Sequence, residues 1–294
     1  MPDEIERAKA TAGDAIADLA DAIAAKRVAD ALGDRPPVEP DPDPKPTPSG
    51  EFTIFEDINY RGRPDLQAEF GMVPLKVHYE SAFFDNRRRA GDGDYSLPAN
   101  SRIVQAARSA PNYSCIDIER WWSFSDNDLD DRAAPAYEHV AEVYDDALDP
   151  GDLFGFYSTI PIRSLNKIGQ PDWKETNDRL KGLGDLVDMT FPSLYALVDD
   201  DERWPDYARA NIAEAKRIAP GKPCYPFLWP VYHPNAKAKK GRPIPPHIWR
   251  RQLEICREFA DGVVIWTLSK TKTIDFKDIP PWWQETVDFA RSLR

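Results

Sequence analysis

From residue 51 onward, short and almost continuously apolar runs alternate with longer amphipathic segments. That alternation restricts the fold more than any other feature. The apolar runs are 52–58, 73–79, 113–118, 153–157, 186–191, 223–229 and 262–268. Segments with helical periodicity include 101–110, 134–147, 173–183, 205–218, 247–259 and 281–293. A strand that is apolar on both faces must be covered on both, as in a parallel sheet packed under helices. About seven or eight such units in roughly 240 residues predict an α/β fold, a TIM-type (β/α) barrel. An open doubly wound sheet is the alternative, but no Gly-rich phosphate loop follows any run.

Residues 51–294 are therefore read as the barrel domain, and the preceding residues read differently. Over 3–33, Ile5, Ala12, Ile16, Leu19 and Ile23 fall near heptad a and d positions, which predicts a helix. The stripe is narrow and rich in Ala, too thin for a stable lone helix. It points to oligomerisation or to an anchoring partner. Residues 34–50 place a proline at almost every second position from Pro36 onward. Proline fixes φ and lacks the amide donor, so this run predicts a semi-rigid spacer. Helix, spacer and barrel together suggest a tether.

Net charge excludes some functions. The chain of 294 residues carries −12, which disfavours nucleic acid as a partner, because phosphate binding needs Lys and Arg. The basic runs at Lys237, Lys239 and Lys240 and at Arg87, Arg88 and Arg89 are short and read as solvated loops. Cys115, Cys224 and Cys256 lie in apolar runs without metal-ligand spacing, so they read as buried thiols. The four histidines, His78, His139, His233 and His247, show no such spacing either, and no metal or cofactor is expected. No signal peptide pattern opens the sequence, and no window of 18 apolar residues predicts membrane insertion. No nucleophile elbow or Cys–His pairing supports acyl transfer.

Barrels of this type place their chemistry at the C-terminal strand ends. Those ends carry carboxylates, tyrosines and tryptophans: Glu56, Asp117, Glu119, Tyr157, Ser193, Tyr195, Trp229, Tyr232 and Trp266. Asp117 and Glu119 are the sharpest feature. Side chains two apart share one strand face, with Cα atoms about 6.5 Å apart. Burial and a neighbouring negative charge both raise a carboxyl pKa, so such a pair can keep one proton near neutral pH. A general acid for glycosidic cleavage needs that proton. The plain structural alternative is a strand-end pair salt-bridged to Arg120 or another arginine.

The two acids are too close in sequence to face each other across a sugar as acid and nucleophile. They fit substrate-assisted retention, with Glu119 protonating the leaving oxygen and Asp117 stabilising a 2-acetamido group. A non-catalytic glycan- or receptor-binding barrel is the main alternative. A hard-metal site of Glu56, Asp117 and Glu119 is a third reading.

Five segments resemble the hyaluronidase-type glycoside hydrolases of family 56, and the Asp-x-Glu ending is similar to that of chitinase-like barrels. Asp117-Ile118-Glu119 followed by Trp121 resembles the family's Asp-Trp-Glu segment. Gly155-Phe156-Tyr157 resembles its next strand. Phe191-Pro192-Ser193-Leu194-Tyr195 resembles its Pro-Ser-x-Tyr element. Trp229-Pro230-Val231-Tyr232 and the run from Gly262 to Trp266 resemble two later strands, Arg-Pro-Val-Tyr and Gly-x-Val-x-Trp. The resemblance implies that Glu119, Asp117 and Tyr195 are catalytic, with Tyr195 assisting the acetamido group. It implies that Tyr157 contacts substrate, and the strand-end reading adds Glu56, Ser193, Trp229, Tyr232 and Trp266 as further substrate-binding residues. Ile118 stands where the family has Trp, and the family's disulfides are missing. The sequence thus suggests a hydrolase acting on an acetamido-containing polysaccharide, tethered to an assembly such as a phage tail or related particle.

Overall fold

The computed structural model describes residues 51–85, 95–123, 128–129, 131–163, 168, 170–268, 271 and 273–294, with only the backbone of 122, 123, 128 and 129. The expected helix over 3–33, the spacer 34–50 and the cluster Arg87–Arg89 lie outside the described residues.

The strands are β1 (Thr53–Asp57), β2 (Val73–Pro74), β3 (Lys76–Tyr79) and β4 (Tyr113–Asp117). A small antiparallel pair, β5 (Trp122–Ser123) and β6 (Asp128–Leu129), follows, then β7 (Leu153–Phe156), β8 (Phe227–Leu228) and β9 (Gly262–Trp266). One parallel sheet has the order β2-β1-β9-β8 and the other β3-β4-β7. Only Leu75 separates β2 from β3, and its N–H donates to the Glu56 carbonyl at 3.1 Å. Parallel bridges Tyr157↔Phe191, Thr190↔Cys224 and Ser193↔Phe227 carry the pairing from the end of β7 to β8. Followed pair by pair, the contacts run β1, β2–β3, β4, β7, 190–193, β8, β9 and back to β1. This is the circuit expected of a barrel of parallel strands.

Three runs depart from expectation: 186–191, 223–229 and 173–183. Residues 186–191 read as a strand, yet Lys181–Leu186 is a helix and only the bridges at Thr190 and Phe191 remain strand-like. Prolines explain the shortness here and in β8. Pro192, Pro223 and Pro226 accept bonds from Phe227, Thr190 and Val264 at 2.8–2.9 Å but have no N–H to return. The helix expected over 173–183 ends at Asp178 and restarts at Lys181. Asn177 turns its amide to Trp173 and Ile162 instead of outward, and Gly184 packs against the Ile218 carbonyl, where a Cβ would stand 2.6 Å away. The remaining strands and helices lie within a few residues of their expected bounds. The short helices Leu66–Phe70 and Glu80–Phe83 lack the length to show a period.

The strands β4 and β7 face two cores. On the outer face Ile116, Phe154 and Phe156 meet Tyr137, Val140, Ala141 and Tyr144 of the helix Ala133–Asp145. On the inner face Phe55 meets Tyr113 and Tyr225 edge to face, with centroids 5.0 and 4.9 Å apart. Phe227 meets Tyr157 and Phe191 at 5.0 and 5.6 Å. Such pairs add about 0.5–1.5 kcal/mol each beyond the area they bury. Gly155 and Gly262 make room for these rings: a Cβ at Gly262 would overlap the Thr53 carbonyl oxygen and lie 2.7 Å from the Tyr225 ring.

Candidate active site

Strand parity places the acid pair. Ile116 and Ile118 belong to the outer core, and the Tyr137 hydroxyl donates to the Ile118 carbonyl at 2.8 Å. Asp117 and Glu119 therefore take the opposite side, where Cys115 joins the inner core. The register sets Tyr79 beside Asp117 and Asp57 beside Trp266.

Arg120 does not neutralise the pair. It is 1% exposed, donates twice to Glu80 Oε1 at 2.6 and 2.9 Å, and lies 3.4 Å over the Phe84 ring. Among the described residues neither Asp117 nor Glu119 makes a hydrogen bond or a direct ion pair, and Asp117 Oδ1 is buried without a partner. Burial pushes the Asp117 carboxyl well above the usual range, helped by Glu119 and Glu80 and opposed by Arg163. Burial also raises Glu119, against Arg163 and with Glu80. The arrangement favours a proton retained on the pair.

Beyond β7 the chain turns sharply. Ser158 is buried with φ +54°, a left-handed conformation costly for a residue other than Gly. Its N–H donates to the Phe191 carbonyl at 2.8 Å, and Thr159 Oγ1 donates back to the Tyr157 carbonyl at 3.1 Å. The turn delivers Arg163, whose Nη1 donates to Ser193 Oγ at 2.7 Å. Ser193 Oγ also pairs with the Tyr157 hydroxyl at 3.0 Å. The Tyr195 ring lies 5.9 Å from that of Tyr157, and burial raises its pKa well above the ordinary value.

An aromatic group completes this side. Tyr195 stacks on Trp266 at 5.7 Å and meets Trp229 at 5.6 Å, and the two tryptophans meet at 5.4 Å. His233 packs on Tyr195 and Trp229 and is held neutral, its pKa lowered to about 3 by burial and by the Arg163 charge. Trp266 Nε1 donates to the Tyr79 hydroxyl at 2.9 Å, and that hydroxyl donates to Asp57 Oδ2 at 3.3 Å.

The structure thus gathers Asp117, Glu119, Tyr157, Ser193, Tyr195, Trp229 and Trp266. It does not bring Glu56 or Tyr232 to them. Glu56 alternates with Phe55 and Asp57, and accepts from Arg63 at 2.5 Å and from the Ile58 N–H at 3.1 Å. The Tyr232 hydroxyl donates to Asp201 at 2.8 Å, and the Lys239 ammonium lies 4.9 Å from its ring. The three carboxyls of the metal reading are consequently not together, and among the described residues no group of three or more His, Cys, Asp or Glu could hold a metal ion. Asp57 and Tyr79, which stand at strand ends, join the site, as do His233 and Arg163, neither of which was expected there. No helix among the described residues is long and apolar enough to cross a membrane.

The chain matches no family model and no curated protein. Its fold is similar to that of bee venom hyaluronidase. A monoclinic crystal structure of that enzyme superimposes with a TM-score of 0.58 at 17% identity, covering 83% of this chain and 97% of the bee chain. A second structure, of the bee enzyme in complex with a hyaluronic acid tetramer, gives 0.57 at 15% identity over 83% and 96%. At this identity the likeness is one of fold: an α/β architecture of parallel strands resembling the hyaluronidase barrel.

Proposed function

We propose that the protein is a glycoside hydrolase that cleaves a polysaccharide containing 2-acetamido sugars. One observation carries this reading: two carboxyls with raised pKa values sit on one face at a strand end, without a direct cationic partner among the described residues, beside an aromatic group. A buried acceptor left unbonded, as Asp117 Oδ1 is, costs about 1–3 kcal/mol. Such a cost is characteristic of a group kept for a ligand. Asp117 accepts the acetamido N–H and turns the acetamido oxygen toward the anomeric carbon. Glu119 gives its proton to the glycosidic oxygen as the bond breaks. Water then opens the cyclic intermediate, and Glu119, now ionised, takes a proton from that water. The Tyr157–Ser193 bond and Tyr195 position the acetamido group, and Trp229 and Trp266 offer ring faces to the sugar.

The bee enzyme's hyaluronic acid complex supports a glycan as the occupant of such a site. We place 1–33 and 34–50 as the tether that holds the barrel on an oligomer or larger assembly, such as a phage tail or related particle. That part rests on the heptad stripe and the proline run alone. Proton NMR of the products tests the chemistry. The first-formed reducing end should retain the anomeric configuration, and replacing acetamido groups by free amines should abolish cleavage. An inverted product or indifference to the acetamido group would overturn the mechanism. Light scattering of the full chain tests the tether: a monomer that binds no partner would remove it.

A further inference from the structure

The site contains a buried cation as well as the two half-buried acids. Arg163 is 8% exposed, and its guanidinium is anchored on Ser193, which in turn holds the Tyr157 hydroxyl. The Tyr207 hydroxyl fixes the same segment by donating to the Ser193 carbonyl at 2.7 Å. The bridge Tyr157↔Phe191 and the pairing of β4 with β7 put this assembly on the strands next to Asp117. A buried guanidinium is costly unless an anion lies near it. Both Asp117 and Glu119 feel its charge.

Resting on the hydrolase reading, we propose that Arg163 is the positioning residue of this site. Its guanidinium keeps one negative charge on the Asp117–Glu119 pair, and its bond to Ser193 fixes the Tyr157 hydroxyl beside them. Without the cation both carboxyls would be pushed further toward the protonated form, and the pair would lack the anion that accepts from an acetamido N–H. With a cation bound directly to both, neither would keep a proton to give. An arginine anchored on a neighbouring serine meets both needs.

Other groups also face the pair: Glu80, Tyr79 and Asp57 from the β3 and β1 side, Tyr157 and Tyr195 from the β7 side, and Tyr137 from the helix behind. Tyr207 and His233 face Arg163 itself. Among these Glu80 is engaged by Arg120, and His233 is neutral. Arg163 is the member whose charge opposes burial of the two acids.

The test is the titration of the Glu119 side-chain carboxyl, followed by carbon NMR in the full-length protein without substrate. Arg163→Gln keeps a donor for Ser193 and removes the charge. It should raise the Glu119 midpoint by about one pH unit, a tenfold gain in proton affinity. Arg163→Lys keeps the charge and should leave the midpoint within about a third of that shift. A folded Arg163→Gln with an unmoved midpoint overturns the proposal. If that variant does not fold, Arg163→Lys decides, because a large shift with the charge retained also overturns it. Cleavage assays separate the two readings. Wild-type protein that cleaves no glycan removes the hydrolase reading, while the titration still judges Arg163. Cleavage with an unmoved midpoint removes only the role of Arg163.

Discussion

Partway along the strands the interior changes character. Toward their N-terminal ends Phe55, Tyr113 and Tyr225 meet edge to face, with Gly262 cut back to admit them. Toward the C-terminal ends the same alternation presents Asp117, Tyr157, Ser193 and Trp266, followed by Glu119 and Tyr195. Here Asp117 Oδ1 is buried without a partner among the described residues, a serine takes a left-handed conformation, and an arginine is buried. One set of strands therefore builds a region packed from rings and a region whose polar groups are costly to bury. The lower region bears the cost of the upper one.

That contrast can be broken by mutation. The largest effect on stability should come from the packed region. Phe227 is 1% exposed between Tyr157 and Phe191, and Phe227→Ala should cost about 3–5 kcal/mol in denaturant unfolding. A loss below 1 kcal/mol would mean that the rings do not carry the fold. The opposite sign is expected at the site. Asp117 has a raised pKa, so its favourable contribution is present below the ordinary carboxyl range and is lost as pH rises through the raised value. Asp117→Asn should therefore raise Tm at pH 7–8 by about 2–4 °C, the equivalent of about 1 kcal/mol. The gain should vanish below about pH 4. A variant less stable than wild type at pH 8 would contradict the assignment.

His78 sharpens the comparison from outside the site. It is buried beside Tyr144 with Nε2 unbonded, and burial, with a smaller contribution from Lys76, lowers its pKa to about 4. A lowered folded value gives stability that is present above the ordinary histidine range and lost as pH falls through about 4. In His78→Phe the fall of Tm between about pH 6.5 and 4 should flatten. The smallest effect is expected at Glu56, a strand-end carboxyl on the wrong face. Glu56→Gln should cost about 1 kcal/mol through its bonds to Arg63 and Ile58, with cleavage of any glycan changed less than about threefold.

Glu56 also shows where the sequence stops being legible. Thr53-Ile54-Phe55-Glu56-Asp57 is apolar on both faces in its middle, so a period of two carries no sign of which residue points inward. The contact of Phe55 with Tyr113 fixes the parity and brings Asp57 inward instead. In β4 the same difficulty did not arise, because two acids flank Ile118 and all three keep one alternation. The order of strands was legible for a similar reason: each apolar run is bounded by polar or proline residues. The segment 186–191 was not, since proline-interrupted pairing leaves only bridges. Arg163 was beyond reach because a turn places it, and no periodic pattern reports a turn that brings residue 163 to residue 193. His233 likewise enters from a loop, past the end of β8.

The central claim is that Glu119 is the acid of a glycan-cleaving site. Reducing-end release from an acetamido-containing polysaccharide, measured side by side for wild type and Glu119→Gln, tests it most directly. Loss of the general acid should lower the rate by about 10²–10⁴-fold, with Tm unchanged or raised. Equal cleavage by the two proteins, or none by the wild type across acetamido polysaccharides, would contradict it.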